Sequence, residues 1–148
     1  MPIPPLNTDG FLPVGIHLAA LGEIRERFGV FRGSDRRPNL FARLLELVSS
    51  MQRSKLFEAL LIDGSFVTAT RDPNDIDAIA VLRPGHDFER DLLMSEYAVV
   101  SRTMLTRRFR FDVIVAERDS GVYRTYVDFF SLVRNAPGVR KGILQITL

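Results

Sequence analysis

The sequence predicts one α/β domain. Short apolar runs that read as buried strands alternate with longer stretches whose apolar residues recur at helical spacing, and no internal repeat or low-complexity segment divides the chain. A length of 148 residues suits a single core. Aspartates inside two of the strand-like runs mark where chemistry is to be sought, because a carboxylate is costly to bury.

The elements follow in order. Residues 1–15 hold four of the eight prolines and read as an irregular lead-in. A first helix is expected from Ile16, with Leu21, Ile24 and Phe28 at helical spacing and Gly29 at its end; His17 falls on the same stripe and reads as a packed or capping residue. Ser34 or Asp35 is placed to cap a second helix, with Pro38 in its first turn and a stripe of Leu40, Phe41, Leu44, Leu45, Val48 and Met51. Residues 58–63 (EALLID) read as a buried strand, 65–70 as a turn of helix broken by Pro73-Asn74, and 76–82 as the next strand. Asp87 is placed to cap a helix through Leu93, residues 95–106 fit helix or strand, and 109–116 alternate as a third strand. A helix over 122–133 and a last strand over 142–148, expected at a sheet edge, complete the chain.

Composition removes several function classes. The absence of cysteine excludes a disulfide framework and a thiolate metal site, and fits a reducing cytoplasm. The start, MPIPPLNTDG, has neither the basic nor the apolar part of a signal peptide, and no window approaches a membrane span. The formal charge is only +2, so nucleic acid has little support from composition. The basic clusters Arg36-Arg37, Arg107-Arg108 with Arg110, and Arg140-Lys141 read as solvated faces or as attractors of a phosphate-bearing ligand.

The acids carry more information. Asp75 and Asp77, two apart on a strand, would point to one face about 6.5–7 Å apart. Two ionised carboxylates in an apolar strand persist only if a cation or several donors compensate; otherwise Asp75 is a turn residue and Asp77 pairs with an arginine. Asp112, flanked by apolar residues in RFRFDVIVA, can face the same pocket if its strand lies beside 76–82. Three carboxylates without histidine or cysteine suit Mg²⁺ or Mn²⁺, and paired ions of this kind serve in-line displacement at phosphorus. Gly64-Ser65, after a strand and before a short helix, would gather backbone N–H groups into an anion site. Arg71 stands where it would touch a phosphate or pair with Asp72 or Asp75, and Lys141 reads as an edge charge or a phosphate contact. Tyr97, Tyr123 and Tyr126 lie on apolar stretches and read as core, or as platforms for a base.

Apolar-Gly-Ser, a gap of nine residues, apolar-flanked Asp75-Ile76-Asp77 and a later apolar-flanked Asp112 resemble the signature of the nucleotidyltransferase superfamily with the DNA polymerase β-like core. The wording GSFVTATRDPNDIDAIAVL, with DGFLPVGIH and KGILQITL, looks like a small bacterial branch related to the minimal nucleotidyltransferases. The resemblance implies a polymerase β-like fold, with a mixed central sheet of about four to five strands flanked by helices, spanning residues 1–148. It implies that Asp75 and Asp77 bind two metal ions holding an NTP, that Asp112 binds the catalytic ion and helps deprotonate the attacking hydroxyl, and that Gly64 and Ser65 hold phosphates. Minimal members suggest a protein acceptor, as in toxin–antitoxin pairs, or completion of the site by a homodimer mate. Two other readings stand beside this one: a non-catalytic binding protein of the same fold, and a metal-dependent nuclease, which would have less need of a triphosphate cradle.

Overall fold

In a computed structural model describing residues 2–87 and 89–148, the run Phe57–Asp63 (β2) lies at the centre of a five-stranded mixed sheet. Its residues are buried on both faces, hence its near-continuous apolar sequence. Antiparallel to it on one side lies Asp77–Leu82 (β3), which pairs in parallel with Asp112–Glu117 (β4). On the other side lies Ile143–Thr147 (β5), antiparallel to β2 and parallel to the short strand Ile16–Leu18 (β1). The order is β1-β5-β2-β3-β4. The last strand is therefore internal rather than at the expected edge, because β1 covers it.

One face of the sheet carries α1 (Leu21–Phe28), α2 (Arg36–Ser54), α3 (Met94–Val100) and α4 (Arg102–Phe109), packed over Leu60, Ile62, Ala78, Ala80 and Leu144. The other face carries α5 (Gly121–Ser131), whose Tyr123 and Phe130 cover Leu61, Ile79, Val81 and Ile143. Among the described residues no helix is long and apolar enough to cross a membrane.

Several boundaries differ from the sequence expectation for local reasons. The first helix begins at Leu21, not Ile16: Glu23 accepts the Ala20 N–H at 3.2 Å and so fixes the start, while residues 16–18 pair with β5. His17 accordingly lies on β1, with Nε2 2.6 Å from the Pro13 carbonyl oxygen. Leu45 is exposed and Leu47 takes its place in the core. No helix forms over the described residues between Asp87 and Leu93; Phe88 lies outside them. There Asp87 instead accepts the Glu89 N–H, a turn contact that competes with helix. Residues 102–109 are helical, so the third strand starts only at Asp112.

Arg37 is not on a solvated face. It is 2 % exposed and donates to the carbonyls of Phe28, Phe66, Thr68 and Thr70. One buried guanidinium thus ties residues 66–70 to α2 and the end of α1. At the far end of the chain, the Gly142 N–H donates to Leu12 O and the Ile143 N–H to Gly15 O, both at 2.9 Å. A Cβ at Gly142 would stand 2.0 Å from the Pro13 oxygen, so the N-terminal lead-in is packed directly onto the entry to β5.

Candidate functional site

The registers of three adjacent strands bring three aspartates into a row. Asp63 at the end of β2 is opposite Asp77 at the start of β3, and Asp77 is beside Asp112 at the start of β4. Alternation puts all three on the α5 face: Leu61, Ile79 and Val81, on the strands that carry Asp63 and Asp77, pack under that helix. Neighbours in such a row have Cβ atoms about 5 Å apart. The sequence reading had Asp77 and Asp112 but not Asp63.

Each end of the row has its own basic partner. Lys141 Nζ stands 3.0 Å from Asp63 Oδ1, with both side chains largely buried. This oxygen has no hydrogen bond of good geometry, so the contact is chiefly one of charge. Burial pushes the Asp63 carboxyl up and Lys141 pulls it back. Lys141 is therefore not the solvated edge charge expected from its position. At the other end Arg102 grips Asp112 with both prongs, Nε to Oδ1 and Nη2 to Oδ2, each at 2.7 Å. Its guanidinium is held above its ordinary value by those bonds.

Asp77, in the middle, receives no side-chain hydrogen bond among the described residues. Burial, and then the charges of Asp75, Asp63 and Asp112, raise its carboxyl from 3.8 to about 6, opposed by Lys141. Asp75 is not part of the strand. It sits in the preceding turn, where the Ser65 N–H and hydroxyl donate to its Oδ1 at 3.0 and 2.9 Å. Ser65 Oγ accepts the Asn74 N–H at 2.9 Å in return. The Gly64-Ser65 turn thus binds an anion, and that anion is the chain's own carboxylate.

Gly64 is required by this packing. Its φ is +94°, and a Cβ would lie 2.9 Å from the Asp75 carbonyl oxygen and 3.0 Å from Oδ1. Arg71 is not brought to the row: its guanidinium lies against Gly33, in the loop between α1 and α2, and Asp72 instead accepts the Ser34 hydroxyl. Nearby, Arg36 donates to Asn74 Oδ1. Tyr123 is buried and Tyr97 exposed.

Asp63 and Asp77 open into a cavity of about 570 Å³, whose lining does not include Asp112. Asp63, Gly64, Ser65, Asp75 and Asp77 form one wall with Lys141, and Phe11, Phe129, Leu132 and Val133 form another. As a donor set the acids are all hard oxygens, and the unrelieved charge at Asp77 suits a divalent cation. In the conformation described, however, no three acidic or imidazole groups among the described residues stand together as a metal-ligand set. Asp75 is turned to Ser65 and Asp112 to Arg102, so both carboxylates would have to rotate to act as metal ligands.

Residues 4–147 match a family described as a family of unknown function, DUF6932; the match spans nearly the whole chain, which belongs to that family. No curated protein and no solved structure matches the chain.

Proposed function

We propose that this member of DUF6932 is a divalent-cation-dependent nucleotidyltransferase, moving a nucleoside monophosphate from an NTP to a hydroxyl. The observation that carries the reading is the row of strand-end aspartates Asp63, Asp77 and Asp112 beside the Gly64-Ser65 turn, the first two opening with that turn into one cavity. Asp75, Asp77 and Asp112 would hold Mg²⁺ or Mn²⁺, which when bound supplies polarisation of the phosphates and a lowered hydroxyl pKa.

The chain's own residues account for the rest. Asp75 holds the Ser65 N–H and hydroxyl; turned away from Ser65 to hold a cation, it would leave both donors free for a phosphate. Cradle and ligand are thereby released together. Asp112, once free of Arg102, takes the proton of the acceptor hydroxyl. The acceptor oxygen forms a bond to the α-phosphorus, the bond from that phosphorus to the bridging oxygen breaks, and pyrophosphate leaves. We infer a cytoplasmic setting and an acceptor on a partner protein or a second copy of the chain, as in toxin–antitoxin-like pairs.

The Arg102–Asp112 fork favours one competing reading, a nucleotide- or partner-binding protein that no longer turns over. Incubation with each labelled NTP, Mg²⁺ or Mn²⁺ and candidate acceptors separates the two. Transfer should add the mass of one nucleoside monophosphate to an acceptor and vanish in Asp77→Asn. Metal-dependent NTP binding without transfer would favour the nucleotide-binding protein, and no NTP binding at all would sink the transferase and leave only a partner-binding role.

A further inference from the structure

The cavity has an apolar wall that phosphate and metal chemistry do not use. Phe129 stands on α5 with 64 % of its surface exposed, although its neighbour Phe130 is buried against the sheet. The two ring centroids lie 6.3 Å apart at 53°, so Phe130 braces Phe129 from behind. Both line the cavity that also contains Ser65 and Asp77, together with Phe11 and Arg134. A large exposed ring at the mouth of a charged pocket costs hydration and contributes little to the core. Its placement makes chemical sense if a flat apolar group covers it.

We propose that Phe129 is the platform on which the base of the nucleotide stacks. The inference rests on the nucleotide reading above and extends it from the phosphates to the base. A ligand whose phosphate end sits at Ser65 has its base covalently tethered within the same cavity, and the aromatic ring exposed there is the complementary surface. Stacking on an aromatic ring contributes on the order of ten-fold in affinity per base and tolerates any base, since every base has a π face. The subsite therefore accepts purines and pyrimidines alike, with purines ahead because of their larger area. Selectivity among bases has to come from elsewhere.

Phe129→Trp tests this in the full chain, which contains no other tryptophan. ATP and UTP should quench the indole emission in the presence of Mg²⁺. Inorganic tripolyphosphate, which has no base, should bind without quenching. In Phe129→Ala, ATP affinity should fall about ten-fold while tripolyphosphate affinity stays unchanged. The exposure of Phe129 makes both variants compatible with folding, and unaltered melting curves check this. If ATP and tripolyphosphate weaken equally, or neither responds to position 129, the stacking platform is refuted while the phosphate site stands. If the unaltered chain binds neither ATP nor tripolyphosphate, the nucleotide reading fails and the platform fails with it.

Discussion

Asp77→Asn should stabilise the protein at neutral pH. In the fold the Asp77 carboxyl is raised from 3.8 to about 6, first by burial and then by Asp75, Asp63 and Asp112. A group raised on folding contributes stability that is complete below its unfolded value and lost as pH rises through its folded one. For Asp77 the loss runs from about pH 4 to about pH 6, after which the native state carries a charge it disfavours. A displacement of about two on the pH scale corresponds to about 3 kcal/mol. Asp77 is only half-buried, so solvent screening reduces this to about 1–1.5 kcal/mol. Asparagine has nearly the same shape and no charge. At pH 7.5 the variant should exceed the parent by that amount, or about 3–5 °C in Tm for a chain of this size. Near pH 4 the gap should close. Urea unfolding of both proteins from pH 4 to 8 measures it, and Mg²⁺ should then stabilise the parent selectively. A variant less stable than the parent at pH 8, or a gap that does not change with pH, would refute the reasoning.

Other substitutions probe the scaffold and the counterions. Gly64→Ala places a Cβ 2.9 Å from the Asp75 carbonyl in a left-handed backbone and should cost about 1–3 kcal/mol, read by denaturant unfolding. Arg37→Met leaves four carbonyls of the 28–70 region without their donor; a loss of about 3 kcal/mol or more is expected, with hydrogen exchange accelerating first at 66–70. Arg102→Gln removes an exposed fork, so stability should move by less than about 1 kcal/mol. The same change frees Asp112, and Mn²⁺ affinity measured by electron paramagnetic resonance should rise; unchanged affinity would mean that the fork does not hold the ligand back.

Much of this architecture is legible in the chain because buried strands are written as apolar runs closed by Gly or Pro. β2 and β3 are of that kind, and the Asp residues stand out against them. β1 is not, since three residues directly before a helix continue its spacing. The internal position of β5 is hidden because strand order is a property of pairing, while the half-buried Gln145 makes the strand read as an edge. Asp63 reads locally as the acid before a turn, and only its register with Asp77 reveals its place. Lys141 is recruited to Asp63 from far along the chain, and Arg102 reaches Asp112 from the start of α4, ten residues earlier, a pairing that helical or strand spacing does not announce. Arg37 had a local signal: it continues the helical stripe of Leu40, Phe41 and Leu44 toward the core.

The seat beneath Lys141 has a kinetic consequence. Lys141 reaches Asp63 when the strand it leads into, β5, closes onto β2 with Leu144 opposite Ile62, a contact between segments far apart in the chain. Contacts so remote in sequence form slowly. Until that closure, Asp63 and Asp77 approach each other without their lysine, and their mutual repulsion adds to the folding barrier. Acid or a divalent ion relieves the same repulsion, so refolding should be faster at pH 5 than at pH 8 and faster with Mg²⁺ present. The charge pattern that we propose receives a phosphate would then also act as a brake on its own assembly.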